Sequence, residues 1–191
     1  MGGARRAFLA AALLAFAAPA LADEAAAWAA LKAGGHVALV RHASTEAGLG
    51  DPPGYRLGDC ATQRNLSAAG RDEAKRIGEA LRAAGVVADK VYASPWCRCV
   101  ETATLAFGRA DEWEALSSFF DDRAREPGLT ARVKNRIGTY STKRPKGTVF
   151  MVTHHVNIQA LTGHAVGTGE IVVVRPDGCC GLKVVGRLAV R

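Results

Sequence analysis

Short apolar runs alternate with stretches of helical periodicity along most of this chain, and this alternation restricts the folds open to it. The runs at 37–40 (VALV) and 147–153 (GTVFMVT) are too short for helices and rich in β-branched residues, which favour strands. Between them, apolar residues recur every three or four positions from 74 to 81, which predicts a helix with one buried face. The alternation predicts an α/β fold, a three-layer α/β/α sandwich with a mostly parallel central sheet.

Capping and turn residues place the other elements. We predict one helix between an N-cap at Ser67 and a stop at Gly85, and another that begins after an N-cap at Ser94. Three more helices are predicted over 24–32, about 130–138 and about 157–161. We predict strands over 89–94 and 116–120, and a closing hairpin of 170–176 and 182–190. Residues 44–65 have no periodicity and are rich in Gly, Pro and Asp, which indicates a long loop of the kind that often carries function.

The first 22 residues have the organisation of a cleavable secretory signal. Arg5 and Arg6 precede an uncharged apolar run over 7–18, and Ala20-Leu21-Ala22 fits the small-x-small cleavage rule. The run is shorter than the ~20 residues that a bilayer span needs, although a retained anchor is the alternative. We therefore predict cleavage after Ala22, one domain over 23–191, a periplasmic or secreted protein, and no stable membrane anchor after cleavage.

The charge of the chain restricts its partners. The formal net charge is +7, and loss of Arg5 and Arg6 would leave +5. The excess is spread along the chain without a Lys/Arg block, and aromatic residues make up only 6%. We therefore expect no nucleic-acid partner and favour a small anionic substrate. The oligomeric state is left open.

Five cysteines follow the predicted signal, at 60, 97, 99, 179 and 180. An exported protein can form disulfides, and an odd number leaves at least one thiol unpaired within the chain. A bridge from Cys60 to Cys97 or Cys99 would tie the long loop to the third helix. Cys179 and Cys180 either bridge each other or stay reduced.

Three predicted strands end in residues suited to one reaction. The first ends in Arg41-His42, the second is followed by Arg98, and the fourth ends in His154-His155. Ligands of open α/β sheets bind beyond the carboxyl ends of strands, so these side chains should meet. Arginine matches phosphate oxygens, a neutral imidazole can take a phosphoryl group, and a protonated imidazole can stabilise developing charge. This is a phosphoryl-transfer site that needs no metal or cofactor, and no metal-binding histidine spacing occurs.

Four segments resemble motifs of one family, in family order over residues 36–158. LVRHASTE resembles the Arg-His-Gly signature of the histidine phosphatase superfamily, which has the phosphoglycerate mutase-like and histidine acid phosphatase fold. NLSAAGRDEA, ASPWCRCVETA and VFMVTHHVNI resemble the segments that open its first large helix, follow its second strand and bear its second histidine.

The resemblance implies a role for each matching residue. His42 would be the phosphorylated nucleophile, Arg41 and Arg98 would hold the phosphoryl oxygens, and His154 would stabilise transition-state charge. Thr45 would contact the substrate. His154 is preferred to His155 because neighbouring side chains on extended backbone point to opposite sides.

Two positions depart from the family pattern. Ala43 replaces the usual glycine after the nucleophile, which is acceptable only if the backbone there does not need a positive φ. The proton donor is not obvious: Asp121 or Asp122, after the third strand, are the candidates, with Glu46 as runner-up.

The sequence therefore predicts an exported, metal-independent phosphomonoesterase with a phosphohistidine intermediate. Its substrate would be small, and location alone suggests an envelope sugar phosphate. A phosphomutase and a phosphate-binding relative without catalysis are the alternatives. A serine hydrolase is disfavoured because no Gly-x-Ser-x-Gly motif occurs.

Overall fold

The computed structural model describes residues 18–143, 145–178 and 181–190, and within them five α-helices and six β-strands form the fold. The helices are α1 (Ala18–Ala33), α2 (Ala68–Ala83), α3 (Cys97–Phe107), α4 (Glu126–Thr139) and α5 (His155–Thr162). The strands are β1 (Val37–Arg41), β2 (Ala88–Ala93), β3 (Asp111–Glu112), β4 (Thr148–Thr153), β5 (Ile171–Asp177) and β6 (Gly181–Leu188). Residues 1–17, which contain most of the predicted signal, and Cys179 and Cys180 lie outside the described residues.

The six strands form one sheet in the order β3-β2-β4-β1-β5-β6. The first four strands pair in parallel, whereas β5 and β6 are antiparallel and form the predicted closing hairpin. In the register, Arg41 of β1 is opposite Thr153 of β4, and Ala93 of β2 is opposite Val152. The carboxyl ends of β1, β2 and β4 therefore lie side by side at one edge of the sheet.

Alternate residues of β1 pack against different helix layers. Ala38 and Val40 belong to the hydrophobic core shared with α1, α2 and α3, whereas Val37 and Leu39 belong to the core shared with α4 and α5. This is the period-two alternation of a strand that is covered on both faces. The structure is the predicted three-layer α/β/α sandwich.

Helix α2 follows its sequence signals closely. The hydroxyl of Ser67 accepts a hydrogen bond from the backbone N–H of Gly70 at 3.1 Å, as an N-cap does. The predicted apolar face is the buried one, formed by Ala74, Ile77, Gly78 and Leu81. Because a methyl built on Gly70 would overlap the carbonyl oxygen of Ser44, glycine lets the helix approach the turn after His42.

The strand predicted over 116–120 is wrong. The edge strand is Asp111–Glu112, and Glu114–Leu116 forms a 3₁₀ turn. Phe119 is fully buried, but it packs between helices, against Leu129 and Val156. A short apolar run has the same appearance in sequence whether a strand or a packed loop buries it.

Helix α3 begins later than predicted, at Cys97, with Trp96 at the N-cap position. Ser94 does not cap it, because its hydroxyl lies 2.9 Å from Nε2 of His154 and bonds to that ring. Three other helices extend further toward the N-terminus than predicted: α4 begins at Glu126, α5 begins at His155, and α1 is already helical at Ala18, the first residue described. The predicted cleavage position after Ala22 lies within α1, and cleavage remains a prediction.

A disulfide joins Cys60 of the long loop to Cys97, the first residue of α3. This confirms one of the two predicted pairings and leaves Cys99 as a buried thiol. The backbone N–H of Cys97 also donates a hydrogen bond to the side-chain oxygen of Gln63, another residue of the long loop, at 3.0 Å. The loop is thus fixed to the start of α3 by a covalent bond and a hydrogen bond.

Of the helices in the described ranges, none is long and apolar enough to cross a membrane.

Candidate active site

A pocket of about 320 Å³ opens beyond the carboxyl ends of β1, β2 and β4. Four side chains that the sequence predicts to share a site line it: Arg41, His42, Arg98 and His154. Arg98 and both histidines are almost fully buried, and the two imidazole centroids are 5.4 Å apart. The structure therefore brings the ends of the three strands together as predicted.

The side chain of His42 is a neutral imidazole with one nitrogen free. Nδ1 lies 2.8 Å from the carbonyl oxygen of Ala43, and since a carbonyl only accepts hydrogen bonds, Nδ1 carries the ring proton. Burial is the main reason that the pKa of His42 is lowered to about 3, and the charges of Arg98, Arg41 and Arg64 lower it further. Near neutral pH, Nε2 thus has an unprotonated lone pair, as a nucleophile requires.

Hydrogen bonds fix the backbone around His42. The N–H of His42 donates to a carbonyl of β4 at 2.9 Å. The N–H of Ala43 donates to the hydroxyl of Thr102 in α3 at 3.1 Å, and that of Ser44 donates to the carboxylate of Glu73 in α2 at 2.7 Å. The position of the imidazole is therefore set by three different elements.

Ala43 is accommodated without strain. Its φ is negative, so the backbone does not adopt the left-handed conformation that would require glycine. Its methyl is fully buried in a small apolar cluster with Leu66 and Ala74. The departure from the family glycine is thus compatible with an intact turn after His42.

The ring of His154 is oriented through Nε2, 2.9 Å from the hydroxyl of Ser94. The backbone N–H of Trp96 donates to the same hydroxyl at 3.5 Å, so the hydroxyl proton can point to Nε2 and place the ring proton on Nδ1. Burial, then the charge of Arg98, lowers the pKa of His154 well below its ordinary value. Before substrate binds, His154 is therefore neutral, not the imidazolium expected from the sequence, and in the tautomer whose Nε2 accepts from Ser94 it would donate from Nδ1–H.

Three guanidinium groups reach the pocket, one more than predicted. The third is Arg64, from the long loop. Arg41 donates from Nη1 to the carbonyl oxygen of Val166 at 2.8 Å, and Arg64 donates from Nη1 to the hydroxyl of Thr45 at 2.8 Å. The Nε atoms of Arg41, Arg64 and Arg98 are all buried and find no acceptor among the described residues. Three guanidinium groups that line one pocket give it a positive potential, so the pocket is suited to an anion.

A buried carboxylate, that of Asp51, holds Arg98. Nη1 of Arg98 donates to both carboxylate oxygens, at 2.8 and 3.1 Å, and the two side chains are 5% and 3% exposed. The indole N–H of Trp96 and the backbone N–H of Arg64 also donate to Asp51, at 3.0 and 2.9 Å. Burial alone would raise the pKa of Asp51, but these hydrogen bonds and the charge of Arg98 lower it below its ordinary value.

The remaining predicted residues are placed differently from one another. Thr45 does not line the pocket; its hydroxyl accepts a hydrogen bond from Nη1 of Arg64, which does. Asp121 lines the pocket, whereas Asp122 accepts from the backbone N–H of Ala124 at 3.2 Å and begins a 3₁₀ turn. Glu46 is exposed and does not line the pocket. Of the three candidate proton donors, only Asp121 is in position to meet a substrate.

His155 lines the pocket next to His154, contrary to the expectation that only one of the two would. The chain turns into α5 at His155, so the alternation of extended backbone no longer applies. Its Nδ1 lies 3.0 Å from the carbonyl oxygen of Val166, which also accepts from Arg41.

Sequence reasoning missed Asp51 and Arg64. Both are in the Gly/Pro-rich loop, where no periodicity indicates which side chains point inward. The Cys60–Cys97 disulfide was the one available signal that this loop approaches Arg98. In the part of the chain that the structure describes, no group of three or more His, Cys, Asp or Glu residues could hold a metal ion.

Comparison with known proteins agrees with this geometry. Residues 37–126 match the family described as the histidine phosphatase superfamily (branch 1), a segment that contains three of the four motifs found in the sequence. No curated protein matches the chain.

Solved structures of low sequence identity share the fold. The protein histidine phosphatase SixA complexed with tungstate is 16% identical, with a TM-score of 0.57 over 81% of this chain and 96% of that one. The alpha-ribazole phosphatase from Shigella flexneri is 16% identical, with a TM-score of 0.54 over 79% and 96%. Phosphoserine phosphatase from Entamoeba histolytica, in complex with 3-phosphoglyceric acid, is 14% identical, with a TM-score of 0.53 over 80% and 95%. At these identities the likeness shows the fold alone, and it is the predicted fold.

Proposed function

This chain belongs to the histidine phosphatase superfamily and is a phosphatase, and we propose that it hydrolyses phosphomonoesters through a phosphohistidine formed at His42. One observation carries the proposal. The imidazole of His42 is buried beside three guanidinium groups, with its proton on Nδ1 and no hydrogen bond from a described residue to Nε2. An unprotonated nitrogen in an anion-binding pocket is what attack on a phosphoryl group requires.

The first step transfers the phosphoryl group. Nε2 of His42 attacks phosphorus, the bond from phosphorus to the ester oxygen breaks, and the ester oxygen leaves with the electron pair. The arginines bind the equatorial oxygens, and Nδ1–H of His154 donates to one of them as charge develops. Asp121, which lines the pocket, would pass a proton to the leaving oxygen as that oxygen becomes an alcohol.

The second step releases phosphate. The Asp121 carboxylate, now deprotonated, accepts a proton from a water molecule as that water attacks phosphorus. The bond from phosphorus to Nε2 breaks, orthophosphate leaves, and neutral His42 and protonated Asp121 are restored. The cycle requires no metal ion or redox cofactor.

We further propose that the domain over 23–191 acts after export, in the periplasm or outside the cell, on a small phosphorylated compound such as an envelope sugar phosphate. The apolar segment over 7–18 with its small-x-small site supports export. The Cys60–Cys97 disulfide supports it independently, because such bonds persist in oxidising compartments.

Hydrolysis of an aryl phosphate by the purified protein, in excess chelator, tests the proposed chemistry. His42→Ala should abolish turnover and the acid-labile phosphoenzyme that forms on brief exposure to labelled substrate. His36→Ala is the matched control, because that ring is outside the pocket and bonds to Gly34, and it should retain both. Turnover that survives in His42→Ala would refute the mechanism, and phosphate binding without any phosphoenzyme would indicate a non-catalytic relative.

A further inference from the structure

The charges around the pocket are unevenly compensated. Arg98 is in a buried ion pair with Asp51, whereas Arg41 and Arg64 form no ion pair with any described residue. The phosphoryl group of a monoester is a dianion near neutral pH. Without Arg64, that dianion would meet a single uncompensated guanidinium charge. With Arg64 it meets two.

Arg64 is held as the other two arginines are. Its Nη1 donates to the hydroxyl of Thr45 at 2.8 Å and to the carbonyl oxygen of Gly48 at 2.9 Å, and every hydrogen bond that its guanidinium makes to described residues uses Nη1. Its Nε is buried without a partner, as are those of Arg41 and Arg98. In each of the three, Nη1 bonds to the protein, whereas Nη2 makes no hydrogen bond to a described residue and is not buried, so Nη2 is the donor left for a phosphate oxygen.

The backbone of Arg64 is fixed to the start of α3. Its N–H donates to Asp51 at 2.9 Å, and its carbonyl oxygen lies 3.4 Å from Nη1 of Arg98. The preceding residue, Gln63, bonds to Cys97, which the disulfide joins to Cys60. Arg64 is thus not a mobile surface side chain. It is positioned relative to Arg98 by the same carboxylate that positions Arg98.

Arg64 is also close enough to the reacting groups to change their ionisation. Its charge contributes to the lowered pKa values of His42, His154 and Arg41. Grouping like charges in a partly buried site is unfavourable unless an anion compensates them. The charges of Glu73 and Glu170 offset part of this repulsion at Arg41, that of Asp51 offsets part of it at Arg64, and a bound anion would offset more.

From these contacts we propose that Arg64 is a third oxyanion-binding residue, and that Asp51 positions it together with Arg98. The site then carries two guanidinium groups that form no ion pair with a described residue, and it selects dianionic phosphate over monoanionic ligands. The inference rests on the proposed function only in taking the bound anion to be a phosphoryl group.

Calorimetric titration of the purified protein with inorganic phosphate at pH 8 tests this. Arg64→Gln should weaken phosphate binding by about 10- to 100-fold, the range for losing hydrogen bonds to a charged group. Arg64→Lys, which keeps the charge but not the fork, should recover part of the affinity. Arg56→Gln is the matched control in the same loop, because Arg56 is exposed and pairs only with Asp59, and it should bind phosphate as the wild type does. Unchanged affinity in Arg64→Gln overturns the proposal.

Steady-state kinetics provide a second readout. With an aryl phosphate, Arg64→Gln should raise KM more than it lowers kcat, because Arg64 binds the phosphoryl group in both the ground state and the transition state. Should Arg64→Gln fail to fold, Thr45→Val decides the matter. That variant removes one of the two acceptors of Nη1 at nearly constant volume and leaves the carbonyl oxygen of Gly48, so phosphate affinity should fall by less than in Arg64→Gln, and an unchanged affinity there also overturns the proposal.

The outcomes separate the two proposals. Phosphate binding that depends on Arg64 in a protein without turnover would refute the proposed hydrolysis and support this inference. Normal turnover together with wild-type phosphate affinity in Arg64→Gln would support the proposed hydrolysis and refute this inference.

Discussion

Asp51 holds Nη1 of Arg98 with both carboxylate oxygens, at 2.8 and 3.1 Å, where the two side chains are almost completely buried. An arginine that we propose binds the phosphoryl oxygens is thus paired within the protein before any substrate arrives. The pairing uses only Nη1 and leaves Nη2 without a partner among the described residues, so it orients the guanidinium and keeps one donor for a substrate oxygen. A buried ion pair at this position is better explained as a device for orientation than as a source of stability.

Asp51→Asn should destabilise the protein by about 3 kcal/mol at pH 7, because it leaves the charge of Arg98 buried and unpaired. Since the folded-state pKa of Asp51 is lowered, its stabilisation is present above the ordinary carboxyl pKa and is lost as pH falls through the lower, folded value. Urea denaturation should therefore show a difference in the free energy of unfolding between wild type and variant that is largest near pH 7 and narrows toward pH 3. A difference independent of pH would contradict the ion pair.

The pKa of His42 predicts a second pH effect. Below pH 6.5 the unfolded chain protonates His42, whereas the folded protein does not until about pH 3, so stability should fall as pH decreases through this window. The slope for one such histidine is up to about 1.4 kcal/mol per pH unit. Urea denaturation between pH 6.5 and 4.5 measures how steeply the free energy of unfolding falls with pH. This dependence should be weaker in His42→Gln than in wild type. It should be steeper in the control His36→Gln than in His42→Gln.

Gly70→Ala should destabilise the protein and lower turnover together. The added methyl would overlap the carbonyl oxygen of Ser44, in the turn that follows His42, and neither backbone can move aside without displacing the imidazole of His42. Gly128→Ala in α4 is the matched control, since its methyl would meet no atom within 4 Å, and alanine there should stabilise the helix by up to about 1 kcal/mol. Thermal melting of both variants measures the difference, and equal melting temperatures would be inconsistent with the close approach.

Loss of the Cys60–Cys97 disulfide should cost about 3–4 kcal/mol, the range for a cross-link that closes a loop of this size. Cys60→Ser and Cys97→Ser should have equal effects, and combining them should add nothing, because either change alone removes the same bond. Phosphate affinity should fall as well, since the loop carries Asp51 and Arg64. Additive losses in the double variant would show that the two residues act separately.

The proton donor can be identified with substrates of different leaving groups. Asp121→Asn should slow hydrolysis of an alkyl phosphate by about 100-fold or more, and that of an aryl phosphate with an acidic phenol far less, because only the alkoxide needs a proton to leave. His155→Asn is the informative comparison, since His155 also lines the pocket. If His155→Asn, and not Asp121→Asn, slows hydrolysis of the alkyl phosphate more than that of the aryl phosphate, then His155 is the proton donor.

Local sequence signals were sufficient for much of this protein. The β-branched runs of β1 and β4, the cap at Ser67 and the buried face of α2 follow from side-chain chemistry that acts within a few residues. The convergence of Arg41, His42, Arg98 and His154 followed as well, because parallel strands end at the same edge of a sheet.

Tertiary structure decided the rest, because the deciding contacts join residues that are distant in sequence. Ser94 has every local feature of a helix cap, yet it bonds to His154, 60 residues away, and α3 begins later as a result. Asp51 and Arg64 lie in a loop without periodicity, where no short-range pattern indicates which side chains turn inward. Their places depend on the disulfide to α3 and on the buried charge of Arg98, and both exist only once the chain has folded.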